Sequence, residues 1–316
     1  MSRILFIGLP FYVYTARIAD SLRRKGHDVT YYPNENRSFV AKVFRGIAPE
    51  IYRRIRETYH DRIVRETEGQ SYDTVFFLQS HRFSHRNMAR MRANHPNAKF
   101  ILYNWDSLAV HDYSSHLQYF DWAKTFDRPD AEKLGIGYLP LFALPEYFAI
   151  DQATPKSFDM YFVATIGQVG RLPAVKALRD YCRAQGIRLS LNLFCSPRVY
   201  WQALIRGLKI EGMRLSAMTQ QGIIAILQSS KAVFDHANHA QAGFTMRFVE
   251  NMCAGRKIVT TNPQVEREAF YTPDRFHVVK NGDFTGIREF LDRPLTSDTS
   301  FADFALDNWT DQLLKP

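Results

Sequence analysis

Cysteine is scarce in this chain and poorly spaced for chemistry. Cys182, Cys195 and Cys253 are the only three, they are odd in number and far apart, and no Cys-x-x-Cys pair occurs. A disulfide framework is excluded, and reduced thiols point to a cytoplasmic setting. The ten histidines do not fall at ligand spacing either, so no metal site is expected. Long apolar runs are also missing. The nearest candidate, "YLPLFALPEYFAI", is short of the ~20 residues a membrane span needs and is interrupted by Pro140 and Pro145. The opening "MSRILFIGLPFYVY" lacks a signal peptide's cleavage pattern and reads as a first buried strand. No short-period repeat or low-complexity tract is present, which argues against solenoids.

What the chain does have is positive charge. Its 41 Lys and Arg outnumber 32 Asp and Glu, for a formal net charge of +9. Such an excess suits an anionic partner: nucleic acid, a membrane surface or a phosphorylated small molecule. The basic residues are spread over both halves and no nucleic-acid module is recognisable, so a nucleic-acid partner is not expected. At 316 residues the chain exceeds one typical core, and two domains are expected.

The order of elements supports this. "RILFIG" (3–8) is an apolar strand, followed by a helical pattern from Thr15 to Lys25 that stops at Gly26. Then come "HDVTYY", a long charged helix over roughly 49–68, "DTVFFLQ" (73–79), a helix near 84–94 and "KFILYNW" (99–105). A short helix and a last strand within 127–140 complete the first half, and a Pro-containing linker runs from about 140 to 157. The alternation restarts at "FDMYFVATIG" and continues through "RLSLNLF", "KAVFDH", "KIVTT" and "FHVVK" with helices between. Continuous apolar strands separated by helices mean parallel sheets covered on both faces. The expected architecture is therefore α/β, with two doubly wound Rossmann-like domains facing across a cleft, residues 1–150 and 151–300. Ligands of such sheets bind at the carboxyl ends of the strands.

One stretch at such an end carries the sharpest signal: "FDHANHAQAGFTMRFVENMCAGRKIVTTN", Phe234 to Asn262. A strand is followed by a helix starting near Gly243, with Phe248, Val249, Met252 and Cys253 on its buried face. Gly243 would let a ligand approach the first-turn amides, Thr245 would add a hydroxyl, and helix N-termini attract anions. Arg247 suits a phosphate and Glu250 a ribose diol. The competing reading is an i, i+3 surface ion pair behind a capping glycine. Asn238, His239 and Gln241, polar where a strand empties into the expected cleft, favour the ligand.

"GFTMRFVENMCAGRKIVTTN" resembles the donor-binding segment of GT-B glycosyltransferases, in particular those of bacterial surface-polysaccharide (lipopolysaccharide and capsule) biosynthesis. The resemblance implies that Glu250 holds the donor ribose and that Gly243, Phe244 and Thr245 form the phosphate loop. "TFDRPDAEKLGIGYLPLF" (125–142) resembles the end of the N-terminal domain in that family. "FADFALDNWTDQLL" resembles its terminal helix, so that 301–316 would cross back to the first domain. Two features depart from the pattern. Ala242 stands where many retaining members carry a second Glu, and only Gly8 follows the first strand. "GRLPAVK" (170–176) mimics an Arg/Lys phosphate clamp but lies beyond the strand end; Arg171 binds phosphate from a helix start or is a solvated helix residue.

In the first half, Gln79, Ser80 and His81 follow one strand, with Arg82, His85 and Arg86 nearby, and Asn104, Trp105 and Asp106 follow the next. An inverting transfer needs a general base, and Asp106 or His81 would suit; Asp106 could equally cap the next helix. Together with Arg247, these are the catalytic candidates. Over 41–66 the chain is basic with Ile47, Ile51, Ile55 and Tyr59 at four-residue spacing. This is an anionic-membrane helix or, as its acidic residues favour, an ordinary core-facing one.

The function implied is transfer of a sugar from a nucleotide-sugar donor to a cell-envelope glycan or glycolipid, without a metal or other cofactor. The enzyme would be cytoplasmic, with a peripheral position at the inner membrane. The alternative is a ketal-pyruvyltransferase of the same fold using phosphoenolpyruvate, for which Arg247, Arg171, His239 and His81 would crowd a compact dianion.

Overall fold

The computed structural model describes residues 1–36, 38, 44, 47–236 and 242–316. His239 and Gln241, with Asn238 and part of the 41–46 stretch, lie outside the described residues. The chain divides into two compact units: Met1–Pro140 with Gly243 and Leu306–Pro316, and Leu141–His236 with Phe244–Ala305.

The first unit is built on β1 (Arg3–Gly8), β2 (Asp28–Pro33), β3 (Thr74–Leu78), β4 (Lys99–Asn104), β5 (Trp122–Thr125) and β6 (Gly137–Tyr138). They form one parallel sheet in the order β2-β1-β3-β4-β5-β6. Helices α1 (Tyr14–Arg24), α2 (Pro49–Thr67), α3 (His85–Asn94) and α4 (Arg128–Leu134) connect these strands. Ile4 to Ile7, Val75 to Leu78 and Phe100 to Tyr103 are buried without alternation, as the central strands of a sheet covered on both faces must be.

The second unit repeats the plan with β7 (Phe158–Ile166), β8 (Leu189–Cys195), β9 (Met213–Arg214), β10 (Ser230–Asp235), β11 (Lys257–Thr260) and β12 (Phe276–Val278). Their order is β12-β11-β10-β7-β8-β9, again parallel. Its helices are α5 (Pro145–Phe148), α6 (Leu172–Ala184), α7 (Pro197–Ile205), α8 (Gln220–Gln228), α9 (Met246–Cys253) and α10 (Ile287–Asp292). The first residues of the segment expected to be a linker are packed, and most of 151–157 is exposed. Leu141 to Leu144 are buried, and Ala143 bridges to Ala305, because an apolar run of that length cannot be left in water at no cost.

The terminal helix α11 (Leu306–Leu314) belongs to the first unit. Trp309 sits edge-on to Tyr103 at 4.8 Å and donates its indole N–H to the Pro140 carbonyl at 2.9 Å. The Asp307 carboxylate accepts from Ser21 and Arg24 of α1.

Candidate functional site

In a doubly wound sheet the ligand crevice opens where the strand order reverses. In the second unit that point lies between β7 and β10, the neighbours from which the chain builds outward in both directions. Two segments leave the sheet there. One is the turn after β7, Gly167 to Arg171, where a Cβ at Gly167 or Gly170 would meet nothing within 4 Å. Arg171 stands at the N-cap of α6, partly exposed. The other begins at Asp235, and its described residues resume at Ala242 before α9.

The start of α9 is tied down by Asp235, at the end of β10. Its carboxylate accepts from Thr245 at 2.8 Å and from Thr260 at 2.9 Å, and Thr245 in turn accepts from the Phe248 amide at 3.0 Å as the helix N-cap. Burial raises the Asp235 pKa, and the two threonine hydroxyls oppose that shift. The Thr245 hydroxyl, expected to reach a ligand, is thus already engaged on both sides.

Gly243 and Phe244 also differ from expectation. The Ala242 and Gly243 amides both donate to the Asp127 carboxylate, at 2.8 and 3.0 Å, so the anion at these amides is a side chain of the protein. A Cβ on Gly243 would lie 2.4 Å from the Phe126 ring and 2.8 Å from its carbonyl oxygen, so close packing requires glycine here. The Phe244 side chain is buried and stacks on Phe248 at 4.5 Å.

Arg247 and Glu250 do not form the exposed ion pair of the competing reading, because Glu250 is only 3% exposed. The Tyr147 hydroxyl, brought by α5, lies beside the Glu250 carboxylate. Burial first and that carboxylate second push the Tyr147 pKa far up. Arg247 faces Tyr161, whose hydroxyl donates to Asn251 at 2.9 Å and whose pKa burial raises to about 12. The result is a buried polar cluster of Glu250, Tyr147, Tyr161, Asn251 and Arg247.

In the first unit, Gln79 and Asp106 meet at the ends of β3 and β4: the Gln79 side-chain amide donates to the Asp106 carboxylate at 2.5 Å. Gln79 is buried with a φ of 67°, a left-handed conformation unusual for a side-chain-bearing residue and concentrated at functional sites. Asp106 does not cap a helix; the next turn of helix starts only at Ser114, with Tyr113 as its cap. His81 stacks on His111 with centroids 4.0 Å apart. Burial, then the neighbouring histidines and arginines, lower its pKa to about 3, so its imidazole is neutral at physiological pH.

Tyr147, Asp235, Asp127 and Gln79 were not singled out as site residues from sequence. Gln79 stood in a flagged post-strand position. Tyr147 lay within a segment read as linker, and no local pattern marks it.

The chain matches no protein-family model and no curated protein sequence. Solved structures do match it. AviGT4, a glycosyltransferase involved in avilamycin A biosynthesis, is 15% identical over 99% of this chain and 93% of that one, with a TM-score of 0.58. The apo form of the lipopolysaccharide outer core galactosyltransferase WaaB is 14% identical over 98% and 95%, with a TM-score of 0.54. The fold is that of the GT-B glycosyltransferases. HepE of Anabaena, solved with UDP and glucose, shares the GT-B fold with this chain at 10% identity over 92% and 89%, TM-score 0.52. Within the GT-B fold, the β7–α6 turn and the β10–α9 segment are the candidate ligand site of the second unit, and Gln79 with Asp106 that of the first.

Proposed function

We propose that the chain is a glycosyltransferase that moves a sugar from a nucleotide-sugar donor to a cell-envelope glycan or glycolipid acceptor. The observation that carries this reading is Glu250, a buried carboxylate beside Tyr147 on the helix after β10, at the strand-order reversal of a GT-B fold. A buried carboxylate is costly unless partnered. A carboxylate on the helix that follows the strand-order reversal of such a sheet suits a ribose diol. In this reading Arg171 and Arg247 meet the charge of the leaving diphosphate, so the reaction calls on no metal ion. Asp106, oriented by Gln79, takes the proton from the acceptor hydroxyl. The fold's neighbours include proteins whose structures name UDP, glucose and lipopolysaccharide, which supports a nucleotide-sugar donor and an envelope acceptor. They lend pyruvyl transfer from phosphoenolpyruvate no support.

Calorimetric titration with UDP, GDP, CDP, CMP and phosphoenolpyruvate, side by side, tests the reading. One nucleotide should bind saturably, and Glu250→Gln should weaken it by about tenfold or more, since hydrogen bonds to a charged acceptor are lost. Unchanged affinity in a folded Glu250→Gln protein removes the ribose assignment. Binding of phosphoenolpyruvate alone overturns the reaction.

A further inference from the structure

Helix α7 carries an outward face that its fold does not explain. Val199 and Ala203 are buried against the second sheet's core, which is the ordinary inward stripe of a covering helix. The opposite side is apolar as well. Trp201 is 58% exposed, Leu204 42% and Ile205 83%, and Leu215 just beyond β9 is 52% exposed. Trp201, Leu204 and Ile205 are spaced three and four residues apart, so they share one helical face. Isolated exposed apolar residues need no account, but a tryptophan, a leucine and an isoleucine on one turn-and-a-quarter of helix do.

The charge around this face points one way. Arg198, Arg206, Lys209 and Arg214 are all exposed, against Glu211 as the acidic residue of the same stretch. No ion pair holds any of these four cations among the described residues. Helix α2, the basic segment first considered for a membrane contact, is different. There Arg53 pairs with Glu50 at 2.6 Å, Arg62 with Glu66 at 2.6 Å, and Asp61 takes Arg90 at 3.0 Å, which neutralises much of its field. Among the described residues, α7 therefore combines exposed apolar side chains with uncompensated positive charge. No helix of the described residues is long and apolar enough to cross a bilayer, so a contact of this kind lies in the interface.

We infer that the Trp201–Leu204–Ile205 face of α7, with the exposed Arg198, Arg206, Lys209 and Arg214 of the same stretch of chain, docks on an anionic lipid bilayer. Tryptophan and branched aliphatic side chains enter the headgroup–acyl boundary, while the arginines and the lysine meet lipid phosphates. Such a contact would hold the second unit at the surface where a glycolipid acceptor resides. It stands on surface composition alone, not on the identity of the donor.

The purified full chain is mixed with vesicles of phosphatidylglycerol and phosphatidylethanolamine, and separately with phosphatidylcholine vesicles, and followed by co-sedimentation and tryptophan emission. The expected result is binding to the anionic vesicles alone, with a blue-shifted emission that the Trp201→Phe variant lacks. A Leu204→Ser/Ile205→Ser double variant should bind about tenfold more weakly. Raising salt from about 0.1 to about 0.5 M should release most of the protein. Because these positions are exposed, an unchanged melting temperature is expected in the variants. No binding to either vesicle overturns the inference. So does full binding by the double variant, or loss of binding in Ile51→Ser on α2 with the double variant unaffected. A wild-type dimer that dissociates in the double variant, without any vesicle effect, overturns it in favour of a protein interface.

Discussion

At position 243 the question is one of space. The Phe126 ring and carbonyl leave no room for a methyl group, and the Asp127 carboxylate holds the amide. Gly243→Ala should therefore destabilise the protein by ~1–3 kcal/mol through overpacking against backbone that cannot swing aside, read as a lowered melting temperature. A ligand-approach role would leave the free protein's stability untouched and lower only nucleotide affinity. Tyr147 makes the complementary case. Its hydroxyl lies beside the Glu250 carboxylate, so Tyr147→Phe should leave the carboxylate present but less well placed. Nucleotide affinity should fall severalfold, and by less than in Glu250→Gln, in the same calorimetric titration.

For helix α9, the cap is the decisive contact. Thr245 accepts from the Phe248 amide and donates to Asp235, which also receives Thr260 from β11. One hydroxyl thus joins a helix start to two strands. Thr245→Ala should cost ~1–2 kcal/mol, the usual range for a lost cap, and Thr245→Ser should restore most of it. Because α9 also carries Glu250 and Arg247, the alanine variant should bind nucleotide more weakly even though Thr245 need not touch it. Helix α9 shows how far the sequence could be read. Its apolar face was plain from Phe248, Val249 and Met252, all of which are buried. The partner of the residues that precede it was not. Asp127 lies 116 residues from Gly243 in the chain, and nothing in the sequence around Gly243 announces such a partner.

Across the whole molecule, several buried groups give stability a definite pH dependence. His60 is fully buried, its Nε2 bonded to the Asn34 carbonyl and its ring stacked on Phe83 at 3.8 Å. Burial lowers its pKa to about 4, and that of His81 to about 3. Both folded values lie below the ordinary 6.5, so the unfolded chain binds more protons between these limits. Their contribution is fully present above pH ~6.5 and is lost as pH falls through the folded values. For His60 alone the shift corresponds to at most ~3 kcal/mol. Melting temperature should therefore rise from pH ~4 to ~6.5, and His81→Asn should flatten part of that rise. A flat profile would show that these imidazoles are solvated in the folded protein.

Two parallel sheets, their helices and the helix bearing Glu250 were determined by sequence alone. Burial periodicity is a local property: a strand covered on both faces must be apolar throughout, and a covering helix must be apolar on one side. The tertiary structure alone decided what each polar group does. It assigned Asp127 to the Gly243 amide, Thr245 to Asp235 and Gln79 to Asp106. Hydrogen bonds act over about 3 Å. Which distant segment comes within that distance depends on how the core packs, and no window of sequence contains that information.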